Sequence, residues 1–254
     1  MKSVKTLIAG LILLMFLNVK ALAQNDRYQL YVVHEDHVKE GMMDKHKEGD
    51  KKIVKAAKDQ NMKNMSWITF VADNNRVMYL SPIENMAELD KNPFDELEKK
   101  MGEEEFDKLF DSFDGTYSEH GDYILRLDNE LSYMPNGMTV TPEGEHYREL
   151  TYYHIPPGEG EKAEEIAREV KKLYSEKNSN LHYRLYKSGF GNMGYYFMVA
   201  VAAKSPAEME EKRKKNIDII GDEGKAVLDK VENNFRDTEK VTGYIMPDLS
   251  YMNN

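Results

Sequence analysis

The sequence predicts an α+β protein made of two tandem β-α-β-β-α-β units. Two observations lead to this fold class. Leu131-Ser132-Tyr133-Met134 and Leu249-Ser250-Tyr251-Met252 carry the same four residues, 249 − 131 = 118 positions apart. The chain before each of them also shows the same order of strand-like and helix-like segments. A repeat of this length indicates one structural unit used twice.

The first unit opens on a segment rich in β-branched and aromatic residues, which is typical of a strand. Apolar residues at spacings of three, four and seven follow and predict a helix with one buried face. Two further strand-like segments flank the turn Asp73-Asn74-Asn75, so we expect a hairpin there. The predicted elements are strands at 28–34, 65–71, 76–80 and 122–127, with helices at 38–60 and within 83–113.

The second unit repeats this order. Ser205-Pro206 is typical of a helix start, with serine as the N-cap and proline in the first turn. The predicted elements are strands at 147–154, 182–186, 194–202 and 241–246, with helices at 162–177 and from 206 to 235. Each unit therefore follows the ferredoxin-like plan, a four-stranded antiparallel sheet with helices on one face. The open face of each sheet needs a cover, which the other unit supplies within one chain.

This tandem order, the size of the units and their aromatic Leu-Ser-Tyr endings resemble the dimeric α/β-barrel superfamily. That group includes small antibiotic-biosynthesis-type monooxygenases and NIPSNAP-like proteins, and the endings resemble those of its exported members. The resemblance covers nearly all of the chain after residue 23 and implies two sheets packed face to face as an intrachain barrel. No set of catalytic residues from the superfamily matches this sequence, so none is carried over.

The N-terminus predicts export. Lys2 and Lys5 precede an apolar run at 6–17, and Ala21-Leu22-Ala23 has the small-residue pattern of a signal-peptidase site. The run is shorter than the roughly 20 residues that span a bilayer. We therefore expect a signal peptide at 1–23, a first unit at 24–135, a linker at 136–145 and a second unit at 146–254, with the processed protein periplasmic or secreted and without a membrane span.

Composition excludes several functions. The chain has no cysteine, so disulfides and thiol chemistry are absent. Its formal net charge of −10 argues against nucleic acid as a partner, because a phosphate backbone would be repelled. The sequence contains no P-loop, His-Glu-x-x-His or Gly-x-Ser-x-Gly motif. We accordingly predict neither a cofactor nor a metal, and a homo-oligomer stays open.

Histidines and aromatic residues are the remaining candidates for a site. His34 and His154 both end the first strand of their unit, where an imidazole would serve proton transfer, although polar residues are ordinary at strand ends. His34, Asp36, His37 and His46 make a conceivable metal cluster, but they match no established ligand spacing. An aromatic-lined cavity for a flat ligand is predicted from residues that would otherwise simply fill the core: Tyr31, Trp67, Tyr79, Tyr152, Tyr183 and Tyr196.

Three functions are consistent with these features. The first is an exported soluble protein that binds a small apolar or aromatic ligand between its sheets. The second is an enzyme, a cofactor-independent monooxygenase or an isomerase-like protein that uses a cavity tyrosine or histidine as acid or base. The third is a protein-interaction module in the periplasm. Fold class does not choose among them, because one fold hosts many functions.

Overall fold

A computed structural model describes residues 27–235 and 237–252. The predicted signal peptide at 1–23 lies outside this range. No helix in the described residues is long and apolar enough to cross a bilayer. The strands are β1 Tyr28–Val38, β2 Ile68–Ala72, β3 Arg76–Ile83, β4 Tyr117–Asp128, β5 Tyr147–His154, β6 Tyr183–Ser188, β7 Tyr196–Ala203 and β8 Asp237–Ile245. The helices are α1 Met43–Asp59, α2 Asp95–Met101, α3 Glu103–Asp111, α4 Gly160–Glu176 and α5 Pro206–Asn234, with a 3₁₀ turn at Met86–Asp90.

The eight strands form one closed antiparallel barrel in the order β1-β3-β2-β8-β5-β7-β6-β4. The predicted mixed α and β class and the barrel are confirmed. Each half of the chain contributes one continuous arc, β4-β1-β3-β2 and β8-β5-β7-β6. The arcs meet at two seams, where β2 pairs with β8 and β4 pairs with β6. Closure leaves no sheet edge along these seams.

Side chains that alternate along the strands fill the barrel. Val33 on β1 and Leu125 on β4 are fully buried there, together with Phe70, Leu150, Met198 and other residues of one continuous cluster. Each such side chain contributes about 1.5–3 kcal/mol through removal from water. The cavity that remains inside the barrel measures about 40 Å³. This space suits two or three waters, since one water needs roughly 10–15 Å³.

The helices cover the outside of the barrel. In the first half, α1 buries Ile53, Val54 and Ala57 against Trp67 and the chain end. In the second half, α4 and α5 form a separate cluster over β6 and β7. The amphipathic spacing of α1 and α4 explains which face each helix presents to the barrel. Ser205 caps α5 by accepting a hydrogen bond from the Glu208 amide at 3.2 Å, as predicted.

The repeated Leu-Ser-Tyr segments make matching contacts across the two seams. Tyr133 exchanges backbone hydrogen bonds with Tyr183 of the other half, and Tyr251 exchanges them with Trp67. Ser132 Oγ accepts from the Leu185 amide, and Ser250 Oγ accepts from the Thr69 amide, each at 2.9 Å. Each serine also donates to a carbonyl four residues earlier at 2.7 Å. The repeated sequence therefore attaches the end of each half to the second strand of the other.

Several boundaries differ from the prediction. β1 continues to Val38 and pairs with β4 along that whole length, so the first helix begins at Met43 rather than at 38. The helical region within 83–113 divides into a 3₁₀ turn and two short helices, because Gly102 has a φ of 87° between α2 and α3. Gly221, with a φ of 60°, interrupts α5 in the same way. A left-handed φ is easy only for glycine, which ends a regular helix at both places.

Candidate functional site

The six aromatic candidates do not line one space. Tyr31, Tyr152 and Tyr196 are buried inside the barrel. Trp67, Tyr79 and Tyr183 pack outside it, beneath the helices. The barrel wall separates the two groups, because neighbouring residues of a strand face opposite sides.

The two candidate histidines also lie on opposite sides of the wall. His154 is on the interior face of β5, with its ring centroid 5.7 Å from that of Tyr196 and its Nε2 3.8 Å from Asp237. His34 is on the outer face of β1, with Nδ1 2.9 Å from Asp122. The prediction that they occupy equivalent places is therefore wrong. Odd-numbered residues of β1 and even-numbered residues of β5 face the barrel interior. His34 and His154 are both even-numbered, so one faces outward and the other inward.

The end of β1 carries four consecutive polar residues, His34-Glu35-Asp36-His37. His34 and Asp36 face outward toward α1, whereas Glu35 and His37 face the barrel mouth. On the outer face, the register places His34 opposite Asp122 of β4 and Asp36 opposite His120. Each imidazole thus lies beside a carboxylate on the neighbouring strand. The strand pairing brings these four groups together without any loop.

A chain of polar contacts runs from this outer face into the core beneath α1. His34 Nε2 lies 3.3 Å from Asp36 Oδ1, and Asp36 Oδ2 lies 3.4 Å from His46 Nε2. The same His46 nitrogen is 3.0 Å from Tyr79 Oη, and Tyr79 Oη is 2.7 Å from Asp50 Oδ1. We call this chain the relay; its members are Asp122, His34, Asp36, His46, Tyr79 and Asp50. It joins the exposed Asp122 to the buried Asp50.

The hydrogen bond with Thr116 determines which nitrogen of His46 always carries a proton. The other nitrogen, which faces the relay, can gain or lose one. The Thr116 hydroxyl donates to the Phe113 carbonyl at 2.7 Å, so it accepts from His46 Nδ1 at 2.9 Å. Nδ1 therefore carries a hydrogen, and Nε2 is the nitrogen that gains or loses one. His46 is completely buried, so its hydrogen-bond partners settle its tautomer.

Hydrogen counting gives two arrangements of the buried end of the relay. In one, Asp50 is ionised and accepts from Tyr79, while His46 is an imidazolium that donates from Nε2. In the other, Asp50 is protonated and donates to Tyr79, and Tyr79 donates to neutral His46. Both arrangements hold the same number of protons. They differ by moving one proton from Asp50 to His46 through the Tyr79 hydroxyl.

The environment spreads the pKa values along the relay. Burial raises the pKa of Asp50 to about 7, although the hydrogen bond from Tyr79 opposes it. Burial acts the same way on Asp36, but its hydrogen bonds with His34 and His46 outweigh it and lower the pKa to about 2. Burial lowers the pKa of His34, yet Asp36 and Asp122 overcome this effect and raise it to about 9. At neutral pH His34 is a cation and Asp50 is near its midpoint.

An open cleft of about 230 Å³ adjoins the exposed end of the relay. Glu35 lies at its inner side and accepts from Tyr123 Oη at 2.7 Å, with His37 Nε2 3.0 Å away. Arg76 lies 3.5 Å from the same carboxylate. The side chains that line the cleft are mainly acidic or imidazole: Glu35, His37, Glu119, His120, Asp122 and Tyr123. Such a lining favours a neutral or cationic guest over an anion.

Three groups on the outer face also have the spacing of a cation site. One ligand atom each from His34, Asp36 and His120 lies within 4.8 Å of the others. Two imidazoles and one carboxylate suit a divalent transition metal. The sequence-based expectation of no metal stays a prediction.

Sequence reasoning missed Asp50 and Tyr79 as partners of His46. A signal was present, because His46 and Asp50 are four residues apart on the face of α1 that also carries Ile53, Val54 and Ala57. A histidine and an aspartate within a buried helical stripe indicate a polar site in the core. Their partners on β1 and β3 depend on how α1 packs across the barrel, which periodicity alone does not specify.

No protein-family model matches this chain, and no curated protein is significantly similar to it. Solved structures do resemble it. An anthrone oxidase-like protein aligns with a TM-score of 0.55 and 11% identity, over 86% of this chain and 91% of that chain. Two proteins described as "putative monooxygenase", from Lactobacillus acidophilus NCFM and Fusobacterium nucleatum, align with TM-scores of 0.53 each. Their identities are 8% and 9%, covering 89% of this chain and 97% and 98% of theirs. The chain thus has the dimeric α/β-barrel fold of these proteins.

Proposed function

We propose that this protein is an enzyme that transfers protons at the outer face of β1, with the cleft as its substrate site. One observation carries the proposal. An uninterrupted series of contacts, each between 2.7 and 3.4 Å, connects the cleft residue Asp122 through His34 with Asp50 in the core. This is the arrangement that a general acid needs when its proton must be replaced from inside the protein.

Stability does not explain these residues. Asp36 and Asp50 are each 4% exposed, and within the described residues the buried Asp50 Oδ2 has no hydrogen-bond partner. Burying such groups costs free energy, and apolar residues of similar size would pack at lower cost. Costly titratable groups that converge beside a cleft are typical of a functional site.

The proposed step begins with His34 as an imidazolium. Its proton passes to the substrate, which becomes one proton richer, and His34 becomes neutral. The Asp50 proton passes through Tyr79 to His46 Nε2 and from there to Asp36 Oδ2. The neutral Asp36 carboxyl group then rotates and delivers this proton to the unprotonated nitrogen of His34, whose ring flips to present it. The net change is one proton moved from Asp50 to the substrate. The reverse sequence removes a proton from an acidic C–H or O–H bond, which is the first step of an isomerisation or of a reaction with O₂.

The structural relatives favour the oxygenase form of this chemistry. They are described as an anthrone oxidase-like protein and as monooxygenases, and the fold is shared. The cofactor-independent monooxygenase or isomerase-like enzyme is therefore our leading function. A ligand between the sheets is less favoured, because the interior cavity of about 40 Å³ is too small for an aromatic molecule. We place the small ligand in the cleft beside Asp122 instead.

Three further statements belong to this proposal. The matching strand orders β4-β1-β3-β2 and β8-β5-β7-β6 support two tandem ferredoxin-like units that arose by duplication. The order of charge, apolar run and Ala21-Leu22-Ala23 supports export. A homo-oligomer and a role as a protein-interaction module are the alternatives to be separated by native mass spectrometry of the exported material.

The test uses anthrone as the probe, because its methylene group is acidic and its oxidation by O₂ yields a ketone and water. Oxygen uptake reports the complete reaction, and exchange of the methylene protons with D₂O under nitrogen reports proton transfer alone. We expect His34→Gln to reduce both rates at least tenfold. His154→Gln is the matched control, since His154 belongs neither to the relay nor to the lining of the cleft, and it should keep both.

A rate equal to the uncatalysed background in both assays, for the wild-type protein, would contradict the proposed chemistry for this substrate class. Equal rates for the wild type and His34→Gln would contradict the role of His34. A parallel assay with EDTA separates proton transfer by the chain alone from metal-assisted chemistry at His34, Asp36 and His120, because only the latter loses activity with the chelator.

A further inference from the structure

Two arginines are buried inside the barrel, at the end opposite His37 and His154. Arg148 on β5 is 2% exposed and Arg184 on β6 is 1% exposed. Both face the interior, where they border the cavity of about 40 Å³ together with Tyr186 and apolar side chains. The function proposed above uses neither residue. A charged pair this deep in an apolar core needs an explanation.

Neither guanidinium has an acidic partner. Among residues 27–235 and 237–252, no carboxylate oxygen of Asp or Glu lies within 4.0 Å of the Arg148 or Arg184 guanidinium, which is the limit for an ion pair. Glu145 acts on both through space, but its carboxylate is bound to Lys212 at 2.6 Å. The buried charges are therefore uncompensated within this part of the chain, which is the costly case.

The hydrogen bonds that the arginines make are to neutral carbonyls of the linker and the strands. Arg148 donates to the carbonyls of Glu145, Tyr147 and Val140. Arg184 donates to the carbonyls of Thr139 and Ala200 at 3.0 and 3.2 Å, and its buried Nε has no hydrogen-bond partner among the described residues. The linker thus closes this end of the barrel over the cavity. Carbonyl dipoles reduce the cost of the charges but do not cancel them.

The pKa values show the same imbalance. Burial lowers the pKa of Arg148 to about 9, and repulsion from Arg184 adds to this effect. Burial also lowers the pKa of Arg184. An arginine whose charged form is disfavoured in the folded state is stabilised by any anion that enters beside it.

We propose that the barrel holds a compact monovalent anion of halide size in this cavity, bound by Arg184 Nε and the neighbouring Arg148 guanidinium. The size of the cavity restricts the ligand, because space for two or three waters excludes a carboxylic acid with a side chain or a nucleotide phosphate. The lining of Phe70, Met78 and Leu150 favours a weakly hydrated ion over a strongly hydrated one. With one bound anion, the site formed by Arg148 and Arg184 has a net charge of +1 instead of +2.

Chloride is the first probe, measured by thermal unfolding of the full chain at constant ionic strength with sodium gluconate as the replacement salt. A site that binds only the folded state raises the Tm along a saturation curve, by roughly 5–10 °C at 100 times the Kd. Arg184→Met should abolish the chloride-specific rise. Arg168→Met is the control on the outer face of α4, where the side chain is 54% exposed, and it should keep the rise.

Crystals soaked in bromide give an independent result that does not depend on whether Arg184→Met folds. An anomalous peak in contact with Arg184 Nε is expected. No peak there, or a Tm that responds equally to chloride and gluconate, would overturn the proposal. Because this cavity lies inside the barrel and the relay lies outside the barrel wall, neither result bears on the proposed enzyme function.

Discussion

Replacing Asp50 by asparagine should stabilise the protein while it removes the buried end of the relay. The substitution Asp50→Asn keeps the size of the side chain and a hydrogen bond with Tyr79. It eliminates a carboxylate whose pKa is raised from 3.8 to about 7 by burial. The variant therefore tests whether the ionised Asp50 carboxylate lowers the free energy of unfolding.

The sign follows from proton binding. Between pH 3.8 and 7 the folded state holds the Asp50 proton more tightly than the unfolded state, so wild-type stability falls as the pH rises through this window. Each pKa unit corresponds to about 1.4 kcal/mol, so the shift amounts to about 4 kcal/mol when complete. Asp50→Asn should differ from the wild type by less than about 1 kcal/mol at pH 4 and by about 4 kcal/mol at pH 8.

Urea denaturation at pH 4, 6 and 8 measures this difference directly, and the Tm at pH 8 should rise by about 8–16 °C. In the anthrone assays the same variant should lose proton transfer, because the relay then lacks its terminal acid. A gain in stability with a loss of activity is the expected mark of a functional residue. A free-energy difference that does not change with pH would refute the reasoning, since it would show that Asp50 does not titrate between 3.8 and 7.

Three further predictions concern the relay and the seams. The His34 imidazole should titrate near pH 9 by NMR, and Asp36→Asn should move that pKa downward, because it removes one of two carboxylates; an unchanged pKa would contradict the contact. The raised pKa also means that the His34 contribution to stability is present below pH 6.5 and is lost as the pH rises through 9. Ser132→Ala and Ser250→Ala should each cost about 1–3 kcal/mol in urea denaturation, since each leaves a buried amide without its acceptor. Ser175→Ala, on the exposed side of α4, should be neutral, and a large difference between the two seam variants would contradict their equivalence. Gly243→Ala should destabilise the β2–β8 seam by about 1–3 kcal/mol or more, because its Cβ would lie 2.2 Å from the Val71 carbonyl oxygen, whereas Gly121→Ala has open space and should cost far less in the same denaturation assay.

The sequence indicated the elements better than their faces. β5 was predicted at 147–154 and spans Tyr147–His154, because an aromatic and β-branched run between polar turns is unambiguous. The predicted first strand stops at residue 34, whereas β1 extends to Val38, because His34-Glu35-Asp36-His37 has no apolar residue to indicate a strand. The side chains of this segment alternate between two polar surroundings, the outer face and the barrel mouth, so no hydrophobic pattern marks the strand.

The site was predictable only in part. His34 was identified from its place at a strand end, and Asp36 and His46 from their nearness to it. The pairing of Asp36 with His120 requires the β1–β4 register, and the contact between His46 and Tyr79 requires the packing of α1 on β3. Both depend on residues far apart in the chain. The parity error between His34 and His154 has the same origin, because an offset of one residue reverses the face of a strand.

The exchange of Leu-Ser-Tyr segments between the halves has a consequence for autonomy. Neither half contains all of the hydrogen-bond partners that its own second strand needs, since Thr69 and Trp67 are completed by 249–251 and Leu185 and Tyr183 by 132–133. Two separately expressed halves, divided within 136–145, would each be incomplete and would each hold the piece that the other lacks. Each half therefore supplies hydrogen-bond partners that the other needs, and we expect the two separately expressed halves to be more stable when mixed than alone.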